Sequence, residues 1–357
     1  MGTRGIPANY GGFETFAEEL ATRLVRRGHQ VTVYGRSHHV THPGPQWRGV
    51  RLRVLPSIRT KHLDTVVHTL LSAADGLGRG YDAVLLCNAA NAFTLPLLRL
   101  SGARVLINVD GLEWQRKKWG PAGRLWYRLG ERLSVLFAHR VVSDAEVIRE
   151  YYRRRHRAET LFIPYGAPDE KVPTREVPER LGLREDRYLL YVSRLEPENH
   201  AHTVVEAYRR VATDLPLVVV GDAPYNPDYI RRLKEAADPR VLFTGFIFGQ
   251  GYRELQSGCF AYIQATEVGG THPALIEGMG MASAVVANDT PENREVTAGG
   301  ALLYARNDPE SLAGCLRRLL EDPASRLPLR ERALAVVRER YGWEHVTDLY
   351  EEALRSR

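Results

Sequence analysis

Short runs of apolar, largely β-branched residues alternate along the chain with stretches in which apolar residues recur every three or four positions. In the first half the strand-like runs are QVTVYG, VRLRVLP, AVLLCNA, RVLINVD, HRVVSDA and TLFIPYG. In the second half they are YLLYVSR, PLVVVGD, VLFTGFI, FAYIQAT, SAVVAND and ALLYA. The intervening patterns predict helices. The first, FETFAEELATRLVRRG, puts Phe16, Leu20 and Leu24 on one face and stops at Gly28. Strands that are apolar throughout are covered on both faces, so the alternation predicts an α/β fold with doubly wound parallel sheets.

A chain of 357 residues exceeds the roughly 150 that one domain usually takes, and 44% apolar residues suffice for two cores. The stretch GAPDEKVPTREVPERLG at 166–182 is rich in proline and charge and is the candidate linker. The expected division is a first domain at 1–165, a second at 183–340 and a closing helix at 341–357. In that helix, YGWEHVTDLYEEAL, Trp343, Val346 and Tyr350 share one apolar face. No apolar run approaches the roughly 18 to 20 residues of a membrane span, and no secretory signal opens the chain. Cys87, Cys259 and Cys315 are far apart among apolar neighbours, which fits buried thiols in a reducing cytoplasm better than disulfides or a metal site.

Two glycine-rich loops are placed where such folds bind ligands. In ATEVGGTHPALIEGMG, Gly269, Gly270 and Thr271 precede a helix whose buried face is expected to include Leu275 and Met279. Paired glycines admit a close ligand, and the N–H groups of a helix start favour an anion such as a diphosphate. A tight turn that merely joins strand to helix is the plainer reading. At the other end, GTRGIPANYGGFE is a glycine-rich turn into the first helix, preceded by Met1 alone. A doubly wound domain has its first strand there, mid-sheet. The expectation is therefore a start assigned too late and a vacant or strained slot in the first sheet.

Taken together, GTRGIPANYGGFETFAEELA, NVDGLEWQRKKWG, YVSRLEPEN, ATEVGGTHPALIEGMG and ANDTPENREV resemble a bacterial glycosyltransferase of the retaining, nucleotide-sugar-dependent family four. The likeness is greatest to its rhamnosyltransferase-like branch, which acts in capsule and exopolysaccharide assembly. The resemblance implies a GT-B fold, with two Rossmann-like domains facing across a cleft and a last helix crossing back to the first domain. It assigns the acceptor to the first domain and the nucleotide sugar to the second.

The resemblance also implies residue roles. Arg194 matches a diphosphate-gripping position, and a guanidinium suits a two-pronged grip. Relatives carry a lysine about five residues on, where this chain has Asn199 and then His200. Glu277 matches the ribose-binding second member of a glutamate pair. The first member falls on Gly269, and Glu267 lies two residues early. Gly270, Thr271 and the backbone at His272 and Ala274 are then left to serve the sugar and diphosphate. Gly11 and Gly12 match a pair that lets the opening loop approach the donor phosphate. Asp110 stands where many relatives have a histidine, so Asp110 and Glu113 are candidates to orient or deprotonate the acceptor hydroxyl; alternatively Asp110 caps a turn. No Asp-x-Asp metal motif is seen, and no metal or cofactor is expected.

The net charge of +6 does not choose between an anionic substrate, a membrane surface and nucleic acid. Its distribution is more informative. Arg116, Lys117, Lys118, Arg124, Arg128, Arg132 and Arg153–Arg155 interleave with Trp114, Trp119, Trp126 and Tyr127. In AGRLWYRLGERLSVLFAHR, Leu125, Leu129, Leu133 and Leu136 recur at helical spacing beside the arginines. Two readings stand: a core-facing helix with a solvated basic face, or a surface for anionic lipid. The leading expectation is a glycosyltransferase that uses a nucleotide sugar and a glycan or lipid-linked acceptor, not nucleic acid, and is either free in the cytoplasm or peripheral on the inner face of the membrane. A nucleotide-sugar epimerase and a non-enzymatic membrane-surface or nucleic-acid binder are the alternatives.

Overall fold

The computed structural model describes residues 1–9, 11–60, 63–116, 119–223 and 226–355, so Lys117 and Lys118 of the basic cluster lie outside the described residues. The chain forms two compact units, Met1–Tyr165 with Trp343–Arg357, and Gly166–Gly342.

In the first unit the strands are β1 (Thr32–Arg36), β2 (Gln46–Trp47), β3 (Val50–Leu55), β4 (Ala83–Cys87), β5 (Arg104–Asn108), β6 (Arg140–Ser143) and β7 (Leu161–Phe162). Two sheets result, ordered β1-β3-β2 and β4-β5-β6-β7. Pairing is parallel except between β2 and β3, a short antiparallel pair outside the predicted parallel scheme. Residues 1–4 run between the sheets. The Met1 amino group donates to Leu85 O at 2.8 Å, and Met1 O accepts from Cys87 N at 3.0 Å. On the other side Arg4 O accepts from Arg36 N at 2.9 Å. The mid-sheet slot, expected to be vacant or strained, holds the opening residues, bonded to β4 on one side and β1 on the other.

The first helix, Gly12–Arg26, buries Phe16, Leu20 and Leu24 as the periodicity predicts. Against it lies the closing helix Trp343–Arg355, which buries Trp343, Val346 and Tyr350. The Phe16 and Tyr350 rings are 5.2 Å apart, and Tyr350 Oη accepts from Asn108 Nδ2 at 2.8 Å. At the rim Arg27 meets Glu344, Asp348 and Glu351 at 2.6–2.8 Å.

The second unit holds β8 (Leu189–Val192), β9 (Leu217–Val220), β10 (Val241–Gly245), β11 (Ala261–Gln264), β12 (Val285–Asn288) and β13 (Ala301–Tyr304). They form one parallel sheet ordered β10-β9-β8-β11-β12-β13. The chain steps outward from β8 to β10 and then returns to β11 on the other side of β8. That reversal opens a crevice at the carboxyl ends of β8 and β11, where ligands of doubly wound sheets bind. Both faces of the sheet are buried, which is why these runs read as continuous apolar sequence. Residues 166–182 are more than a bare connection. They carry the helix Glu176–Arg180, and Glu254 accepts from Thr174 Oγ1 at 2.6 Å and from Val177 N at 2.8 Å.

Candidate functional site

The sequence candidates gather in two places, one on each unit. In the second unit the loops after β8 and β11 flank the switch point. The half-buried Arg194 guanidinium ends the β8 turn, and among the described residues it enters no ion pair. A surface arginine held in a salt bridge is therefore not what stands here. The turn is braced from beneath. Asn199, buried, donates to Arg194 O at 2.7 Å, and Tyr191 Oη donates to Asn199 O at 2.5 Å. Asn199 thus spends an amide proton on shaping the loop around Arg194. Gly221, which the sequence reading passed over, closes the same corner. A Cβ there would lie 1.7 Å from Ser193 O, and its φ of +137° also requires glycine. The visible signal was a Gly-Asp pair directly after an apolar strand.

The loop after β11 carries Glu267, which does not turn inward. Its carboxylate faces His200 Nε2 at 3.0 Å and Arg306 Nη2 at 2.9 Å. Burial opposes the charge, yet the bonds from His200 and Arg306 keep the carboxyl below its ordinary range. Glu267 thereby ties the glycine loop to the β8 turn. Two residues on is Gly269, where the motif resemblance would put the first glutamate of the pair. A Cβ at that position would meet His272 Cε1 at 2.4 Å, so the imidazole fills the space a side chain at 269 would enter. Thr271 and Gly270 are buried beside it.

The helix Pro273–Gly280 follows, with His272 at its N-cap, Pro273 in its first turn, and Leu275 and Met279 buried. Its first N–H groups lack the carbonyl partners that a helix interior supplies. One turn in, half-buried Glu277 accepts from Tyr252 Oη at 2.6 Å through Oε2. Burial and the Glu277 charge push the Tyr252 phenol well above its usual range, so its proton stays and is donated. Tyr252 was not legible in the sequence: an aromatic in GYRELQSG reads as ordinary helix packing.

In the first unit, Asp110 follows β5 with a left-handed φ of +59°. Its N–H is held by Asn108 Oδ1 at 2.9 Å, and its Oδ1 accepts from Tyr165 Oη at 3.2 Å. Burial, and then the charge of Glu113, raise the Asp110 carboxyl above the aspartate range, against Arg116 and Tyr165. Glu113 is differently placed, buried in an ion pair with Arg116 at 2.5 Å. Of the two carboxyls, Asp110 is raised by burial and Glu113 is ion-paired with Arg116. Breaking such a pair costs about 3–5 kcal/mol.

Gly11 and Gly12 begin the first helix. Gly11 has extended backbone (φ −169°), and a Cβ on it would meet only Glu14 Oε2, at an ordinary 3.5 Å. The protein itself does not demand glycine at 11. The loop is shaped by two glutamates of the first helix. Glu14 accepts from Arg4 N at 2.9 Å and Glu18 from Ala8 N at 2.7 Å. Burial raises the Glu14 carboxyl.

Two family models match the chain, "Glycosyl transferase 4-like domain" over residues 11–166 and "Glycosyl transferases group 1" over residues 186–322. Among curated proteins, a lipopolysaccharide 1,2-N-acetylglucosaminetransferase of Salmonella typhimurium is 24% identical over 61% of this chain and 62% of its own length. A Campylobacter jejuni N-acetylgalactosaminyltransferase, named for a diphospho-undecaprenol acceptor, is 28% identical over 48% of this chain and 47% of its own. The chain thus spans less than two thirds of the length of either relative. Among solved structures, Anabaena HepE in complex with UDP-glucose superposes with a TM-score of 0.78 at 17% identity, over 99% of this chain and 98% of that one.

Proposed function

Because the chain belongs to the group 1, family four-like glycosyltransferases and has their GT-B fold, we propose that it moves a sugar from a nucleoside diphosphate donor to a glycan or lipid-linked acceptor. The observation that carries this reading is the pairing, at one switch point, of an uncommitted Arg194 with a carboxylate, Glu277, fixed by Tyr252. A guanidinium and a helix start together meet the charge that grows on a leaving diphosphate, without requiring a metal. Tyr252 fixes the Glu277 carboxylate through Oε2, and a carboxylate so held suits the hydroxyls of a ribose. Gly269, Gly270, Thr271 and His272 then border the sugar, and Asn199 holds the turn that aims Arg194. Gly11 and Gly12 admit the donor phosphate to the opening loop. Asp110 accepts the proton of the acceptor hydroxyl, its raised pKa suiting a general base.

Retention of configuration, and a place in the rhamnosyltransferase-like branch of capsule or exopolysaccharide assembly, follow from the motif resemblance. The acceptor reading draws support from a surface of the first unit. On the helix Pro121–Phe137, Leu125, Trp126, Leu129 and Leu136 are exposed together with Arg124, Arg128 and Arg132. Such a face fits anionic lipid at the inner side of the membrane, where a lipid-linked acceptor resides. No helix among the described residues is long and apolar enough to cross a membrane.

A thermal-shift screen of nucleotide sugars tests the reading. A donor at about 100 times its Kd adds roughly 2.7 kcal/mol of stability. Incubation of the stabilising sugar with a lipid-linked glycan acceptor, followed by NMR of the anomeric centre, then checks transfer and stereochemistry. A screen in which no nucleotide sugar stabilises the protein refutes the proposal, and inversion at the anomeric carbon refutes the retaining part alone.

A further inference from the structure

We infer that the first unit carries a transition-metal site of the zinc class, built from His38, His39 and Asp64 and separate from the groups assigned to sugar transfer. One nitrogen from each histidine and one Asp64 oxygen lie within 4.8 Å of one another. His38 and His39 follow β1 directly, and Asp64 opens the helix Leu63–Gly76. All three stand at the carboxyl end of β1, the side on which ligands of parallel sheets collect.

The orientation of the donor atoms argues for a shared occupant. His38 Nδ1 is engaged by Ser57 Oγ at 3.1 Å, which turns Nε2 toward Asp64 Oδ1 at 3.5 Å. Asp64 Oδ2 is engaged by Arg36 Nη1 at 2.5 Å, which leaves Oδ1 as the oxygen facing the histidines. Oδ1 is buried and accepts no hydrogen bond. His38 and Asp64 thus each have the far atom anchored and the near atom turned toward the other ligand atoms, as outer-shell partners arrange metal ligands. Zinc binds nitrogen and carboxylate oxygen at about 2.0–2.2 Å in a tetrahedral array, which sets neighbouring ligand atoms roughly 3.3–3.6 Å apart. The His38–Asp64 separation already has that value.

Two imidazoles and a carboxylate are a zinc-class set rather than a magnesium or calcium set, and three ligands leave a fourth position for water or an oxygen of a bound molecule. The Arg36 charge works against a dication, but it is already bonded to Asp64. The ion would join the loop after β1 to the start of the following helix.

The full chain, treated with chelator and titrated with Co²⁺ and then Zn²⁺, supplies the test. The expected result is one equivalent bound, with tetrahedral cobalt absorption that zinc abolishes. His39→Gln and His38→Gln, made separately, should each weaken binding at least about tenfold while melting like the metal-free wild type. The inference is overturned if the wild type takes up no cobalt, or if both variants keep wild-type affinity. It is equally overturned if the spectrum shows thiolate-to-cobalt charge transfer, which would place the ion on a cysteine. Should either variant fail to fold, the other decides, and nucleotide-sugar binding in parallel reports on the transfer site independently.

Discussion

Substituting Gly269 by alanine separates what the fold needs at this loop from what the ligand needs. The added Cβ would lie 2.4 Å from His272 Cε1 and 3.1 Å from Nδ1, too close for the ring to stay. The obstructing atoms end a side chain that can rotate, so the strain is relieved by swinging His272 aside, at a cost of about 0.5–1.5 kcal/mol. The melting temperature should then fall by only a few degrees. Donor binding should suffer more specifically, because the imidazole leaves the sugar's edge. Losing one neutral hydrogen bond is worth about 0.5–1.5 kcal/mol, or a 2- to 13-fold weaker Kd. His272→Ala should show the same loss, and the double variant no more than either single one, since both remove one group from one place. Calorimetric titration of the stabilising nucleotide sugar into the four proteins measures this. Losses that add across the cycle, or a Gly269→Ala protein that binds like the wild type, would refute the assignment of His272 to the sugar.

Other outcomes follow from the same geometry. Glu277→Ala and Arg194→Ala should each weaken nucleotide binding by about 1.5–3 kcal/mol, or roughly 13- to 160-fold, with little change in melting; unchanged affinity in both would remove them from the site. Tyr165→Phe deletes a hydrogen bond that favours the charged form of Asp110, so the Asp110 pKa rises further. The acid limb of the pH–rate profile should shift upward by about 0.4–1 pH unit, and a shift downward would exclude Asp110 as the base. Gly221→Ala pushes a Cβ into a backbone carbonyl and should cost about 3 kcal/mol or more, whereas Gly11→Ala should melt like the wild type and lose transfer only. Sedimentation with anionic vesicles should show binding that fades as salt rises and weakens on charge reversal of Arg124, Arg128 and Arg132; equal recovery with neutral vesicles would leave the acceptor reading without its membrane.

What was legible in the sequence is what periodicity carries. The buried strands of the second unit announced themselves because both sheet faces are covered, and Phe16, Leu20 and Leu24 because one helix face is. The loops that hold Arg194 and Glu277 could be placed because they follow such strands. Side-chain commitments between distant segments could not. Nothing in the spacing says that Glu267 faces His200 and Arg306, that Tyr252 holds Glu277, or that Glu14 and Glu18 gather the backbone of the opening loop. These contacts depend on loop paths that local pattern does not encode. The same holds for the difference between Asp110 and Glu113, acids three residues apart of which Glu113 forms the ion pair with Arg116.

The helix Pro121–Phe137 shows how a correct period can leave the facing direction undecided. Its leucines recur as a helix requires, yet the face turned inward is Tyr127, Gly130, Glu131 and Ser134. The reason lies in close packing. A Cβ on Gly130 would come within 2.2 Å of Ala89 O, so the helix rests against that turn only because residue 130 has no side chain. The next residue, Glu131, accepts from Tyr151 Oη at 2.9 Å and faces His156 Nε2 at 3.0 Å, which satisfies its buried carboxylate. With that side committed, Leu133 reaches only the edge of the core, while Leu125 (59%), Leu129 (45%) and Leu136 (72%) remain exposed. A leucine left in water forgoes about 1.5–3 kcal/mol relative to burial, and three on one stripe forgo several times that. Single exposed leucines are common, but a stripe of them beside Trp126 and three arginines outside any described ion pair has the composition of an interfacial helix. The arginines would each contribute about 1 kcal/mol near anionic lipid, and the leucines would recover by insertion what exposure withholds. The polar packing face and the apolar outer face are therefore one fact, and it is this outer face on which the proposed meeting with a lipid-linked acceptor rests.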